Sequence, residues 1–260
     1  MAMVASISYF NRNLMYGIVH LKYHQPIIMK KAFLFLSLFV SATAFAQQQP
    51  EDFKDDWADL RHYEAENKAL PALAAGEKRV VFLGSSIFEF WKQKVPQYFA
   101  EHKGYLDRGI SGQISPQLLV RFRQDVVALK AKAVIILAGS NDIAGTTGHV
   151  TTARIMDNIK SMVQLAKANN IKVILCEYLP VYEYPWRKGF AAADRIIELN
   201  KAIKAYATEQ NLTILDYFSP LADERNGQKA ELTTDGVHPN VAGYAVMAKV
   251  TDEAIAKALK

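Results

Sequence analysis

The sequence has a single cysteine, Cys176, so no intrachain disulfide can form and cysteine usage is silent about the redox compartment. It lacks a G-x-G-x-x-G run and a P-loop pattern, which leaves a nucleotide cofactor without support. No histidine pair has the spacing of a zinc motif such as H-E-x-x-H, so neither a metal nor any other cofactor is expected. There is no basic stripe interleaved with aromatics, which argues against a nucleic-acid partner. The formal net charge of +5 does not alter this, because it is unevenly placed. Residues 1–46 hold Arg12, Lys22, Lys30 and Lys31 and no acid; setting those four aside leaves 27 of the 31 basic residues against 26 acidic ones.

The uneven start has its own pattern. Met29-Lys30-Lys31 is a positive segment, Ala32 to Val40 is apolar, and Ala44-Phe45-Ala46 has small residues where a signal peptidase reads. The apolar run is short for a membrane span. Cleavage is expected after Ala46, which gives a chain beginning at Gln47 in the periplasm or outside the cell, with no stable membrane anchor. An uncleaved anchor is the alternative. No Cys follows Ala46, so a lipoprotein anchor is not supported. Residues 1–28 precede a leader already complete from Met29, so Met29 is expected to be the true start and residues 1–28 to come from a start codon called too early. The reading is therefore a leader over residues 1–46 and a single domain over 47–260. Half of all residues are hydrophobic, enough for one sizeable core.

Asp52 to Leu70 carries Phe53, Trp57, Leu60 and Tyr63 at helical spacing and is expected to form an amphipathic helix ended by Pro71. Short apolar runs follow at Arg79–Leu83, Ala133–Ala138, Ile171–Cys176 and Leu212–Leu215, with Tyr105–Gly109 a weaker fifth. Cys176 is expected to be a buried strand residue. Helical periods lie between the runs: one opening at Ser115-Pro116, with Ser115 read as the cap, then Thr151–Ala168, Ala191–Glu209 and Val241–Leu259. Such alternation predicts an α/β fold with a mostly parallel five-stranded sheet covered on both faces. Sheets of this kind place their sites at the carboxyl ends of the strands.

The residues just after the runs are the chemically suggestive ones: Gly84-Ser85-Ser86, Gly109-Ile-Ser-Gly112-Gln113, Gly139-Ser-Asn141-Asp142 and Asp235-Gly-Val-His238. Each alone is ordinary turn chemistry. Asp235 reads equally well as a turn residue, His238 as a cap of the following helix and Asn141 as a turn former.

Together, in this order, the four segments resemble the blocks of the SGNH, or GDSL-type, hydrolase family. The resemblance runs from about Arg79 to the end of the chain. It implies a flavodoxin-like three-layer α/β/α sandwich. Residue by residue, it implies Ser86 as nucleophile, Asp235 and His238 as acid and base, and Ser86, Gly112 and Asn141 as oxyanion donors. One departure stands out: the family usually has Asp before the serine, and here it is Ser85. Ser86 holds the motif's third position after Gly84, which favours it over Ser85. Physical chemistry fits these roles. A serine hydroxyl needs a neighbouring base, and an imidazole needs a partner to fix its tautomer. A glycine at 112 allows close backbone approach. The remaining histidines, His20, His24, His62, His102 and His149, are given no role.

The ester itself is less legible. Glu177 to Phe190 is long and rich in Tyr and Pro, and it follows a strand at its carboxyl end. Tyr182, Tyr184 and Trp186 are candidate pocket residues, or they simply pack the loop. Phe88, Phe90 and Trp91 read as packing of the helix after the nucleophile. The expected substrate is a small-molecule or glycan ester, with short acyl groups such as acetyl on glycans favoured. A lysophospholipase or a lipid esterase like platelet-activating-factor acetylhydrolase is the runner-up. A catalytically inactive carbohydrate-binding protein on the same scaffold is the alternative of a different class. The sequence gives no oligomeric state.

Overall fold

A computed structural model describes residues 55–148 and 150–260. The expected leader and His149 lie outside these residues. From Asp55, the chain makes turns and a short helix α1 (Glu64–Ala69), then β1 (Val80–Gly84), α2 (Ser86–Lys94), α3 (Pro96–Glu101) and β2 (Tyr105–Gly109). Next come α4 (Ser115–Phe122), β3 (Ala133–Ile136), α5 (Ser140–Ala144), α6 (Thr152–Ala168), β4 (Lys172–Glu177) and α7 (Ala192–Glu209). The chain closes with β5 (Thr213–Asp216), α8 (Phe218–Leu221) and α9 (Val241–Ala258).

The five strands form one sheet in the order β2-β1-β3-β4-β5, with every pairing parallel. All residues of β1 and β3 are buried. Successive strand side chains point to opposite faces, so both faces are covered. Right-handed crossovers put α2 on one face and α4, α6 and α7 on the other. The strand order reverses between β1 and β3, and sheets of this kind bind their ligands at that point, outside the carboxyl ends of the strands. The result is the flavodoxin-like three-layer sandwich. Cys176 is 1% exposed within β4, as its apolar neighbours require.

Two expectations are corrected. Of the helix expected over 52–70, residues 52–54 lie outside the described residues, and within 55–70 only Glu64–Ala69 is α-helical. Upstream, the Asp56 carboxylate accepts the Arg61 N–H at 3.0 Å and Asp59 adopts a positive φ of 52°. Such side-chain bonds offer the backbone an alternative to the helix. Three glutamines then hold the turn: Gln117, Gln113 and Gln124 donate to the carbonyls of Trp57, Ala58 and Leu60. Ser115 is also not the cap of α4. It lies inside the helix, and its hydroxyl and N–H both donate to Asp142. Among the described residues, no helix is long and apolar enough to cross a membrane.

Candidate active site

Ser86 is the first residue of α2, immediately after β1 and Ser85. At that position the backbone N–H has no carbonyl four residues back to bond. It is therefore free to point, with the helix dipole, at whatever faces the serine. The strand β2 comes unusually close here. A Cβ on Gly109 would lie 2.7 Å from the Ser85 carbonyl oxygen and 2.9 Å from Phe88 Cβ, so only glycine permits the approach.

The Ser86 Oγ lies 3.0 Å from His238 Nε2, and His238 Nδ1 lies 2.7 Å from Asp235 Oδ2. The other Asp235 oxygen accepts the backbone N–H groups of Val237 and His238 at 2.9 and 2.8 Å. Partial burial pushes the Asp235 carboxyl upward, but the His238 ring and these two N–H donors outweigh it and hold the carboxyl below its ordinary range. The loop is closed by Thr234 N–H and Thr233 Oγ1, both donating to the His238 carbonyl. Lys94, at the far end of the helix that Ser86 begins, donates to Thr234 Oγ1 and to the Pro239 carbonyl, each at 3.1 Å. Tyr244 of α9 donates to the Ile87 carbonyl at 2.8 Å. One helix thus carries the serine and anchors the histidine loop.

Asn141 sits in α5 at the end of β3, and its side-chain amide donates one proton to the Gln113 carbonyl at 2.9 Å. A primary amide has two such protons, so one remains for a ligand. Asp142, buried beside it, ties this loop to the start of α4 through Ser115, at 2.6 and 2.9 Å. Gly112 has φ +77°, and a Cβ there would meet nothing within 4 Å. The requirement for glycine is thus the left-handed backbone, not crowding. Glu89 of α2 fixes this loop by accepting from Ser111 N–H at 2.8 Å and from the Ser111 hydroxyl. Arg121, fully buried, donates to the Gly84 and Arg108 carbonyls and so clamps the ends of β1 and β2 together.

Comparison with known proteins matches residues 82–246 to the GDSL-like lipase/acylhydrolase family. This chain belongs to that family. The structure of a GDSL-like lipase from Bacteroides thetaiotaomicron is 43% identical, with a TM-score of 0.75 over 77% of this chain and 98% of that one. A Bacteroides fragilis protein assigned as an acylhydrolase is 44% identical, with a TM-score of 0.76 over 78% and 99%. An acetylxylan esterase from Geobacillus stearothermophilus shares the fold at 22% identity, with a TM-score of 0.56 over 70% and 95%. A shorter match, 32% identical over 81 residues, links the chain to the uncharacterised lipoprotein YqeF of Bacillus subtilis. It spans 30% of this chain and 33% of that protein.

As a GDSL-like acylhydrolase, the chain is a carboxylic ester hydrolase, and its aromatic residues can be placed against the site. Trp186 is 53% exposed, and its ring centroid lies 6.5 Å from that of His238. Tyr184 is fully buried, which corrects the expectation that it lines the pocket. Its ring packs 5.3 Å from that of Trp186 and its hydroxyl bonds Ser140. Tyr182 is exposed under the Arg225 guanidinium, 4.8 Å from the ring centroid. Phe90 escaped the sequence reading as a site residue, yet its ring lies 5.0 Å from His238. Its helical spacing with Phe88 and Trp91 suggested packing, and only those two are buried in the core. The loop is pinned by Arg187, whose Nη1 donates to the Ile143 and Ala144 carbonyls at the end of α5.

Proposed function

We propose that this chain is an exported serine esterase that removes short acyl groups from glycans, with Ser86 as nucleophile, His238 as base and Asp235 as its partner. The observation that carries the reading is the unbroken run from Asp235 Oδ2 through His238 to Ser86 Oγ, with steps of 2.7 and 3.0 Å. Asp235 accepts the Nδ1 proton, so the Nε2 lone pair faces the hydroxyl. As Oγ bonds the ester carbon, Nε2 takes the hydroxyl proton and the carbonyl oxygen becomes an oxyanion. The Ser86 and Gly112 N–H groups and the free amide proton of Asn141 receive that charge. Collapse breaks the bond to the alcohol oxygen, which leaves with the proton from His238. Water repeats the sequence on the acyl-enzyme, and no cofactor is needed.

Phe90 and Trp186 beside His238 put flat apolar faces where the departing alcohol must lie. Such faces suit sugar rings. The Geobacillus acetylxylan esterase shows that this fold can host acetyl-glycan chemistry. Export rests on the leader ending at Ala46, with residues 47–260 as the mature domain. In one preparation, the purified exported protein should begin at Gln47, take up a fluorophosphonate probe and hydrolyse p-nitrophenyl acetate faster than the palmitate. Ser86→Ala should abolish labelling and hydrolysis together. Labelling that persists in Ser86→Ala sinks the assignment, and a preference for palmitate sinks the short-acyl reading.

A further inference from the structure

Residues 57–67 lie ahead of the part of the chain that matches the family, residues 82–246, yet they reach the candidate oxyanion donors. The loop between β2 and α4 leaves the sheet at Gly109 and runs through Gly112 and Gln113. The Gln113 N–H closes a turn on the Ile110 carbonyl at 3.3 Å, and Gly112 supplies the positive φ that such a turn uses at its third position. The Gln113 carbonyl accepts the Asn141 amide at 2.9 Å. One loop therefore sets both the Gly112 N–H and the direction of the Asn141 side chain.

The upstream segment grips this loop at both ends. At the first, the Tyr63 hydroxyl donates to the Gly109 carbonyl at 2.6 Å. That carbonyl shares a rigid peptide plane with the Ile110 N–H, which donates to the Gly84 carbonyl at 3.2 Å, so the plane is pinned on both sides. At the second, the Gln113 side chain donates to the Ala58 carbonyl at 2.7 Å and accepts from Arg121. Tyr63, Ala58 and Gln113 are all buried. Arg108, the residue before Gly109, seats the segment: its guanidinium lies 4.6 Å from the Tyr63 ring centroid and donates to Glu66 and Asn67, each at 2.9 Å. Where so little water reaches, cutting either grip leaves a buried acceptor unmatched, and the loop must shift to regain a partner.

We propose that residues 57–67 act as a brace on the oxyanion loop, which makes Tyr63 and Gln113 positioning residues for Gly112 and Asn141. This rests on the oxyanion roles proposed above. Both side chains act through the loop and not through substrate. Ser86, His238 and Asp235 are held by other contacts, so loosening the brace weakens stabilisation of the transition state and spares binding of the ester.

Tyr63→Phe removes one oxygen and keeps the ring. It should lower kcat for p-nitrophenyl acetate by roughly 10-fold, because a small misplacement acts on the transition state. KM should stay within about two-fold, since ground-state contacts are unchanged. Gln113→Met cuts the other grip and should give the same split. Gln124→Met is the control: it loses the bond to the Leu60 carbonyl in the same segment, away from the oxyanion loop. It should lower Tm and leave kcat within about two-fold of wild type. Taking kcat per fluorophosphonate-titrated site removes any unfolded fraction from the comparison. A kcat within about two-fold of wild type in Tyr63→Phe and Gln113→Met overturns the brace, as does a Gln124→Met enzyme as slow as they are, because the loss then follows stability and not the loop. A wild type that takes up no probe sinks the serine mechanism, whereas a labelled wild type beside full-speed Tyr63→Phe and Gln113→Met sinks the brace alone.

Discussion

Ser86 stands where a fully buried strand meets a helix, over Gly109 and the Arg121 clamp. His238 stands on a surface loop whose supports are turn bonds from Thr233 and Thr234 and two hydrogen bonds from Lys94. The carboxylates of the two regions show the contrast. Asp107 on β2 is 2% exposed, and burial pushes its carboxyl up to about 7. Asp235 is only partly buried, and donated hydrogen bonds bring its carboxyl down. On the nucleophile side, position comes from packing and charge is penalised. On the base side, position comes from the hydrogen bonds that the charge itself collects. A charge change should therefore be felt most in the second region, and a shape change in the first.

The largest effect expected from breaking this contrast is at Asp235. Asp235→Asn keeps the shape but can donate to Nδ1, which turns the imidazole to the wrong tautomer. A loss in kcat of about 10⁴-fold is expected, with little change in Tm. On the other side, Asn141→Ala removes one donor from a rigid frame and should cost roughly 10²- to 10³-fold in kcat, with KM nearly unchanged. Steady-state kinetics on p-nitrophenyl acetate measures both. If the order reverses, with Asn141→Ala the slower enzyme, the histidine loop is held by its backbone and not by the Asp235 charge.

Much of this division is visible in the amino-acid sequence. The runs expected at Arg79–Leu83 and Ala133–Ala138 are almost wholly apolar because both sheet faces are covered, and they start within one residue and end within two of the observed strands. Asp235 and His238 lie three residues apart, and a short-range pair is legible in a line of letters. What escaped depends on partners distant in the chain. Ser115 looked like a cap because Asp142, 27 residues on, could not be seen to claim its hydroxyl. Phe90 shared a helical period with core residues, and only the arrival of His238, far along the chain, marks it as part of the site. Over residues 55–63 the expected helix gives way to turns because three glutamines from residues 113–124 supply the bonds that stabilise them.

The smallest effect, and the one that probes the buried side alone, concerns Asp107. One of its oxygens accepts the Gly109 N–H at 2.7 Å, while the other is buried without a partner. Burial is the main reason its carboxyl rises to about 7; the Gly109 N–H, Lys92 and Arg108 oppose the rise without cancelling it. In the unfolded chain an aspartate titrates near ~3.9. Between those values the folded protein holds a proton that the unfolded chain has lost, so stability falls as pH rises through this window. The contribution is present in full below about 3.9 and gone once pH passes about 7. Asp107→Asn stays neutral throughout and keeps an oxygen for Gly109. Its Tm relative to wild type should therefore climb between pH 5 and pH 8, at roughly 2–4 °C per kcal/mol for a domain of this size. The kcat at pH 7 should change by less than two-fold, because the helix above Asp107 is held by packing. A Tm difference that stays flat across that range would mean that Asp107 is already ionised in the fold, and that the nucleophile side tolerates buried charge as readily as the base side does.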